Sequence, residues 1–330
     1  MIAGAATCRV CGRPGALVAG TVDYLTGFAC VVYDCPSCGC RFTPHTGDVY
    51  DRLHQSGALS YYGYYRRLGE QCRELFARGD LAGLRALLSA TPKYRAVLDR
   101  LDRLPASARI LEVGCSRGYL AAASILAGRD ILGVDTSPDA ITAATAAFGD
   151  HFAVADSPTV AARGPYDVIY HVGLIGCVGD PVGLTRQLLS WLKPGGRLFF
   201  NAPNREALYL RGQLWIDSAP PPDLVTLFPR GFWLRQCADA ARVTETIDPV
   251  SPPTAVAIGL RALVRRKWTP PVPQSLTAGD AFVVQPGFEP SPAWRWLETA
   301  VTKAAALTGL SRLAPVRSSE FGLLVEMEAR

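Results

Sequence analysis

From about residue 106 onward, short apolar runs alternate with longer amphipathic stretches. The apolar runs are rich in β-branched residues, which is typical of buried strands. One of the stretches between them opens on Pro138, at a position where a helix tolerates proline. The predicted strands read ARILEVGC, DILGVDTS, HFAVADS, YDVIYHVGLI and GRLFFNAPN. This alternation predicts an α/β fold, a parallel sheet with helices on both faces.

The regions on either side of this alternation have different patterns. Between residues 56 and 105, apolar positions such as Leu68, Cys72 and Leu75 recur at spacings of three and four, which predicts helices. After Asn204 the alternation loosens, although RVTETIDPV reads as an edge strand and EFGLLVEMEAR as a closing strand. We therefore predict a cysteine-rich module at residues 1–55, a helical linker or lid at 56–105, and the α/β domain at 106–330 with an insertion at about 251–318.

The composition is that of a globular protein. Hydrophobic residues make up 49% of the 330 residues and charged residues 19%, which suits a sizeable core. The net charge of +5 is mild for this length and does not require a nucleic-acid partner. The sequence contains no run of the roughly 18 apolar residues that a membrane span needs, and its start, MIAGAATCRVCG, lacks a basic leader. These features predict a cytoplasmic protein whose thiols stay reduced.

Cysteines are concentrated at the start of the chain, where six of the ten lie within the first 40 residues. Four of them form two C-x-x-C pairs, CRVC and CPSC, which are separated by 23 residues and each followed by a glycine. Two such pairs predict a tetrahedral thiolate cage for one structural Zn²⁺, a zinc ribbon, with two disulfide bonds as the alternative. The predicted ligands are Cys8, Cys11, Cys35 and Cys38, which leaves Cys30 and Cys40 as spare thiols.

The stretch ILEVGCSRGYL contains the spacing Glu-x-Gly-x-x-x-Gly, through Glu112, Gly114 and Gly118. A dinucleotide fingerprint has glycine where Glu112 stands, because a pyrophosphate must approach bare backbone there. A carboxylate would repel a pyrophosphate and attract a cation, so an adenine-bearing ligand without phosphate is favoured. Asp135 and Asp156 end the next two predicted strands, where they are placed to accept from a ribose and from an adenine amino group. The alternative is that the two glycines only permit a tight turn.

Residues 106–204 resemble the class I S-adenosylmethionine-dependent methyltransferases. ILEVGCSRGYLA is similar to their first motif, GVDTSPDAI to their ribose-binding second strand, and YDVIYHVGLIGCVGDPVGLTRQLLSWLKPGGRLFFNAPN to their fourth strand, next helix and fifth strand. The resemblance implies a Rossmann-like seven-stranded sheet whose last strand, FGLLVEMEA, runs antiparallel. The chain departs from the family at Ser116, where many members carry glycine, and at Gly176 and Cys177, where related enzymes often carry a Glu-His pair.

The same resemblance implies S-adenosylmethionine as the cofactor and a set of residues that would contact it. That set is Glu112, Gly114, Cys115, Gly118, Asp135, Thr136, Asp156, Ser157 and His171. The sulfonium supplies the reactivity, so the protein mainly aligns donor and acceptor, and a general base is needed only for an acceptor that holds its proton tightly. His171, just after DVIY, is the candidate base. The alternatives are that its ring lines the cofactor site or packs in the core. The residues predicted to line the acceptor site are Tyr62, Tyr65, Asn201 and Trp215. For the aromatic ones, the alternative is that they pack within the protein and do not contact the acceptor.

A zinc ribbon ahead of such a domain is known to us from enzymes that methylate sugars and other small metabolites, and from ribosomal-RNA methyltransferases. The first class is favoured, because the head balances four arginines with four aspartates and shows no positive excess for RNA. The sequence YHVG also stands where base-amino methyltransferases carry their N/D-P-P-Y tetrad. We predict methyl transfer to a small polar metabolite, such as a sugar, a glycan precursor or a secondary metabolite. The alternatives are a ribosomal-RNA methyltransferase and a non-catalytic zinc-ribbon binding protein with a degenerate Rossmann-like domain, and the oligomeric state is left open.

Overall fold

The computed structural model describes residues 6–22, 29–44, 63–155, 157–206, 215, 224–249, 292–309 and 319–330. The chain forms two compact units, each of which gathers several segments. The larger unit takes in residues 46–202, 233–245 and 324–330. The smaller unit takes in residues 1–45, 203–232 and 246–323.

Eleven strands and nine helices occur in the described part of the chain. The strands are Ala16–Val22 (β1), Ala29–Asp34 (β2), Arg41–Phe42 (β3), Arg109–Val113 (β4), Asp130–Asp135 (β5), Phe152–Val154 (β6), Tyr166–His171 (β7), Leu192–Ala202 (β8), Thr226–Leu227 (β9), Ala241–Pro249 (β10) and Ser319–Ala329 (β11). The helices are Gly63–Ala77 (α1), Leu81–Ser89 (α2), Pro92–Leu101 (α3), Ala121–Leu126 (α4), Pro138–Phe148 (α5), Ser157–Arg163 (α6), Pro181–Ser190 (α7), Phe232–Cys237 (α8) and Pro292–Leu307 (α9). No described helix is long and apolar enough to cross a membrane.

A seven-stranded sheet has the strand order β10-β11-β8-β7-β4-β5-β6. The pairs β4–β5, β4–β7, β5–β6 and β7–β8 are parallel, so the five strands predicted from the apolar runs form the parallel part of the sheet. β10 lies at the edge, as predicted, and β11 lies between β10 and β8. The strand order reverses between β4 and β7, and ligands of open α/β sheets bind beyond the carboxyl ends of the strands at such a switch point. The predicted Rossmann-like fold is confirmed.

The two faces of the sheet are set by the alternation of side chains along β7 and β8. Tyr170 and Phe199 stack with ring centroids 5.4 Å apart, and both belong to the buried cluster that α1–α4 cover. His171 and Phe200, one residue further along each strand, stack at 4.6 Å. Trp233 of α8 packs edge-on against Phe200, which places this second stack against α8.

The smaller unit contains a four-stranded antiparallel sheet in the order β1-β2-β3-β9. Its last strand does not come from the N-terminal region, because Thr226 pairs with Phe42. The unit therefore extends beyond the module expected at residues 1–55. A two-residue strand such as β9 carries no period-2 signal, so the sequence pattern could not reveal this pairing.

Trp215 lies in the hydrophobic core of the smaller unit. Its side chain is buried in a cluster with Val32, Leu224 and Leu227. This position corrects the expectation that Trp215 lines an acceptor site, since a fully packed indole presents no surface to a ligand. Of the two tyrosines predicted for the acceptor site, Tyr62 lies outside the described residues. Tyr65 lies in α1, but its side chain is not among those described.

Candidate cofactor and metal sites

The loop after β4 turns sharply through three residues in the left-handed region. Gly114 has a φ of 72°, Ser116 of 50° and Gly118 of 75°. Ser116 is the one non-glycine residue with positive φ among those described. The family's usual glycine at this position would adopt that conformation without steric cost, whereas serine is strained there.

Asp135, the last residue of β5, holds this loop in place. Its Oδ2 accepts a hydrogen bond from the backbone N–H of Ser116 at 2.8 Å, and its Oδ1 accepts from the N–H of Ser137 at 3.0 Å. The carboxylate thus joins the loop after β4 to the loop before α5. Gly114, Gly118 and Asp135 are therefore brought together at the carboxyl ends of adjacent parallel strands, as predicted for the cofactor crevice.

The two predicted cofactor glycines are constrained differently. A Cβ on Gly114 would meet only Leu174, at 3.5 Å or more, so the left-handed backbone alone favours glycine there. A Cβ on Gly118 would lie 2.5 Å from the ring of Phe152 and 3.2 Å from Cβ of Ala144. Gly118 is thus required both by its backbone and by close packing, so the tight-turn interpretation holds for it independently of any ligand.

This difference gives a prediction for stability. Gly118→Ala is expected to lower the free energy of unfolding by about 2 kcal/mol or more, through backbone strain plus overpacking against Phe152. Gly114→Ala, the matched control, is expected to cost about 1 kcal/mol, because only backbone strain applies. Urea unfolding of both variants measures the difference, and equal losses would contradict the packing argument.

Glu112 lies inside the larger unit. Its side chain is almost fully buried, and its Oε2 accepts a hydrogen bond from the hydroxyl of Tyr170 at 3.1 Å. Burial raises the pKa of Glu112 to about 8, because the charged form is poorly solvated there. Glu112 therefore braces β4 against β7, and its expected attraction for a cationic ligand stays a prediction.

The raised pKa makes the stability of the protein depend on pH. Between the ordinary value of 4.5 and about 8, the folded state keeps the proton of Glu112 and the unfolded state loses it. Stability therefore falls as the pH rises through this range, by up to about 1.4 kcal/mol per pH unit from this group. Glu112→Gln cannot ionise, so we expect it to exceed the parent protein in stability at pH 8 and to match it near pH 5. Denaturant unfolding at both pH values checks this, and an unchanged pH slope in the variant would contradict it.

The remaining predicted cofactor residues lie in different surroundings. Cys115 is buried beneath the loop, and Thr136 is exposed beside Asp135. Ser157 opens α6, and its side chain is not among those described. Asp156 lies outside the described residues.

The structure does not support His171 as a general base. Its ring is fully buried against Phe200, and neither ring nitrogen has a hydrogen-bond partner among the described residues. Burial lowers the pKa of His171 to about 3, because the imidazolium is poorly solvated. A base must reach the proton that it removes, so this correction follows from the packing of β7 against β8 and α8.

Beyond the ends of β7 and β8, a polar group forms that includes one residue missed by the sequence analysis. The side-chain Oδ1 of Asn201 accepts from the N–H of Gly173 at 2.8 Å. Lys93, in the first turn of α3, places its Nζ 3.8 Å from where a Cβ on Gly173 would lie. Lys93 belongs to a helix distant in sequence from the motifs, so no local pattern indicated it.

The four predicted cysteine ligands converge in the smaller unit. Their sulfur atoms all lie within 4.8 Å of one another, with Cys8 Sγ 3.7 Å from Cys38 Sγ and Cys11 Sγ 3.4 Å from Cys35 Sγ. A tetrahedral zinc site with Zn–S bonds of about 2.3 Å requires sulfur–sulfur distances of about 3.8 Å. A disulfide bond requires about 2.05 Å, so these distances fit a metal and not two disulfides. Cys40 is buried and its thiol contacts that of Cys38, but it is not one of the four sulfurs that all lie close to one another.

Each C-x-x-C pair forms a turn closed by its glycine. The N–H of Gly12 donates to the carbonyl of Cys8 at 2.7 Å, and the N–H of Gly39 donates to the carbonyl of Cys35 at 2.9 Å. Both glycines have positive φ. The N–H of Cys38 also donates to Cys35 Sγ at 3.5 Å, which suits a sulfur that carries charge. These turns aim the four sulfurs at one point.

A second group of contacts that sequence analysis missed secures the turn at Cys35–Cys38. Asp34 accepts from Arg41 at 2.8 Å and from Arg205 at 2.8 Å. Arg205 also donates to the carbonyl of Gly39. Arg205 is remote in sequence from the cysteines, so only the folded chain reveals this support.

Comparison with known proteins agrees with this geometry. The family described as "Methyltransferase domain" matches residues 86–241, which run from within α2 to the start of β10. Residues 86–241 form a methyltransferase domain. The match covers the glycine loop, Asp135 and the switch point between β4 and β7.

Curated relatives match this domain and not the whole chain. A ubiquinone biosynthesis O-methyltransferase from Xanthomonas axonopodis pv. citri is 31% identical over 136 residues, which is 39% of this chain and 55% of the relative. One from Aromatoleum aromaticum is 28% identical over 144 residues, 41% of this chain and 59% of the relative. The chain thus spans a little over half the length of these relatives. A SAM-dependent methyltransferase structure from Archaeoglobus fulgidus is 14% identical, with a TM-score of 0.43 over 71% of this chain and 92% of that one, a likeness too low to bear on function.

Proposed function

We propose that the protein transfers a methyl group from S-adenosylmethionine to a small polar metabolite. The observation that carries this proposal is the position of Asp135, at the carboxyl end of β5, with both oxygens holding the loops that flank the crevice. The match of residues 86–241 to a methyltransferase domain supports it.

The chain's own residues would bind and orient the cofactor. Gly114 carries no side chain, so a ligand could approach the backbone of the loop closely there. The carboxylate of Asp135 has lone pairs left for ribose hydroxyls after its two backbone contacts. When bound, S-adenosylmethionine supplies an electrophilic methyl group on a sulfonium. Alignment of an acceptor with that methyl group is then the main task of the protein.

We also propose that the four cysteines hold one zinc ion with a structural role. All four positions of a tetrahedral zinc would be filled by thiolates, so no position is left for a substrate. The close fit of the sulfur–sulfur distances supports the assignment.

A small-molecule acceptor is favoured over RNA. The relatives carry the name of O-methyltransferases in ubiquinone biosynthesis, which act on small molecules. Asp34 forms ion pairs with both Arg41 and Arg205, so these two arginines are engaged within the protein and are less available to a phosphate backbone. Sugars, glycan precursors and secondary metabolites remain the proposed acceptor classes.

The proposal is tested by transfer of a radiolabelled methyl group. Purified protein is incubated with labelled S-adenosylmethionine and either a small-metabolite extract or total ribosomal RNA. Label in the small-molecule fraction is expected, and label in RNA would establish the alternative. Binding of S-adenosylhomocysteine without transfer to either fraction would favour the non-catalytic alternative.

A further inference from the structure

We propose that Lys93 and Asn201 bind an ionised oxygen of the acceptor, and that the acceptor is methylated on an acidic oxygen such as a phenol, an enol or a carboxylic acid. This inference rests on the proposed methyltransferase function and narrows its acceptor. It starts from the group beyond the carboxyl ends of β7 and β8, next to the strands that form the cofactor crevice.

Most of the free hydrogen-bonding capacity of this group consists of donors. Asn201 uses one lone pair of its Oδ1 to accept from Gly173, which leaves one lone pair on Oδ1 and the two hydrogens on Nδ2. Lys93 has three N–H donors and no acceptor. A ligand that offers only acceptor lone pairs, as an oxyanion does, matches this set, whereas a neutral hydroxyl would bring a further donor.

The charge of Lys93 is not neutralised by the surroundings that the structure describes. No ion pair of Lys93 occurs within those surroundings, and its Nζ lies 5.5 Å from the ring centre of Tyr94, which favours the cation. A small cavity of about 10 Å³, room for one water, lies beside Lys93, Val172 and Asn201, and its lining includes no carboxylate. The electrostatic potential beside Lys93 is therefore positive, whereas Asp135 places a negative charge in the cofactor crevice.

The buried state of His171 removes the base that the sequence suggested for an alcohol acceptor. An acceptor that ionises by itself needs no such base, and a nearby ammonium favours its charged form. The acceptor first loses its proton to water. Its oxygen then forms a bond to the methyl carbon while the carbon–sulfur bond breaks and the sulfur keeps the electron pair. The products are a methylated oxygen, the neutral thioether S-adenosylhomocysteine and the released proton.

The test uses 4-nitrophenol, whose absorbance reports its ionisation, added to protein saturated with S-adenosylhomocysteine. The parent protein is expected to bind it and to lower its pKa by about one unit, as a positive charge at close range does. Lys93→Met should remove the shift and Lys93→Arg should restore part of it. Arg95→Met, which removes an exposed charge from the same helix, should behave as the parent protein. 4-Nitroanisole, which cannot ionise, should bind equally to the parent protein and Lys93→Met.

Calorimetric titration with S-adenosylhomocysteine distinguishes failure of the acceptor inference from failure of the proposed methyltransferase function. If the parent protein binds S-adenosylhomocysteine but not 4-nitrophenol, or if Lys93→Met lowers the pKa of the probe as much as the parent protein does, the inference is overturned and the proposed function stands. If S-adenosylhomocysteine itself does not bind, the proposed function fails. A Lys93→Gln variant repeats the measurement with a polar side chain in case the methionine variant folds poorly.

Discussion

Asp135→Ala is expected to weaken the binding of S-adenosylhomocysteine by at least about 100-fold, because the hydrogen bonds that two ribose hydroxyls donate to a charged carboxylate are lost at roughly 1.5–3 kcal/mol each. The substitution also removes the acceptors for the N–H groups of Ser116 and Ser137, so the loop after β4 loses its tie to β5. Calorimetric titration measures the loss. NAD is expected to bind neither protein.

The control for this prediction is Asp139→Ala. Asp139 is an exposed aspartate in the first turn of α5, four residues after Asp135, and its replacement by alanine removes the same charge. It should bind S-adenosylhomocysteine as the parent protein does. Thermal unfolding of both variants shows whether the loss of binding exceeds any loss of stability. Equal affinity in Asp135→Ala, or binding of NAD by the parent protein, would refute the assignment of this crevice.

The sheet could be predicted from the sequence because each of its parallel strands has a recognisable local pattern. Each parallel strand is an apolar run bounded by a turn, and burial on both faces makes such runs easy to read. The ends of strands could be predicted for the same reason. Gly114 comes directly after β4, and Asp135 ends β5. Because these two strands are adjacent and parallel, their carboxyl ends lie at the same edge of the sheet, which brings the two residues together.

The residues that were missed or misplaced depend on packing between distant segments. His171 follows the pattern of a strand end, but whether its ring meets solvent depends on Phe200 and Trp233, which come from other elements. Lys93 lies close to Gly173, and Arg205 donates to the carbonyl of Gly39, so each meets a residue 80 or more positions away. Local periodicity carries no information on such contacts. The strands of the core were therefore predicted more accurately than the residues that line the candidate sites.

Zinc removal is expected to have the largest effect on the smaller unit. Its buried cluster around the cysteines consists of Cys8, Tyr33, Cys35 and Phe42, and two of these are proposed zinc ligands. This cluster and the one around Trp215 are both small, so apolar burial alone gives the unit little stability, whereas a structural zinc contributes about 10–16 kcal/mol of apparent binding free energy. A chelator is therefore expected to expose β1–β3 to amide hydrogen exchange.

Cys35→Ser tests the ligand set directly. Metal analysis should find about one zinc per chain in the parent protein and loss of zinc in the variant, with faster amide exchange in β1–β3, because serine is a poor replacement for a thiolate ligand. Cys40→Ser is the matched comparison, since Cys40 is buried five residues along and contacts Cys38, but is not one of the four converging sulfurs. It should keep its zinc and lose only packing energy. Full zinc in Cys35→Ser, or its loss in Cys40→Ser, would show that a different set of thiols binds the metal.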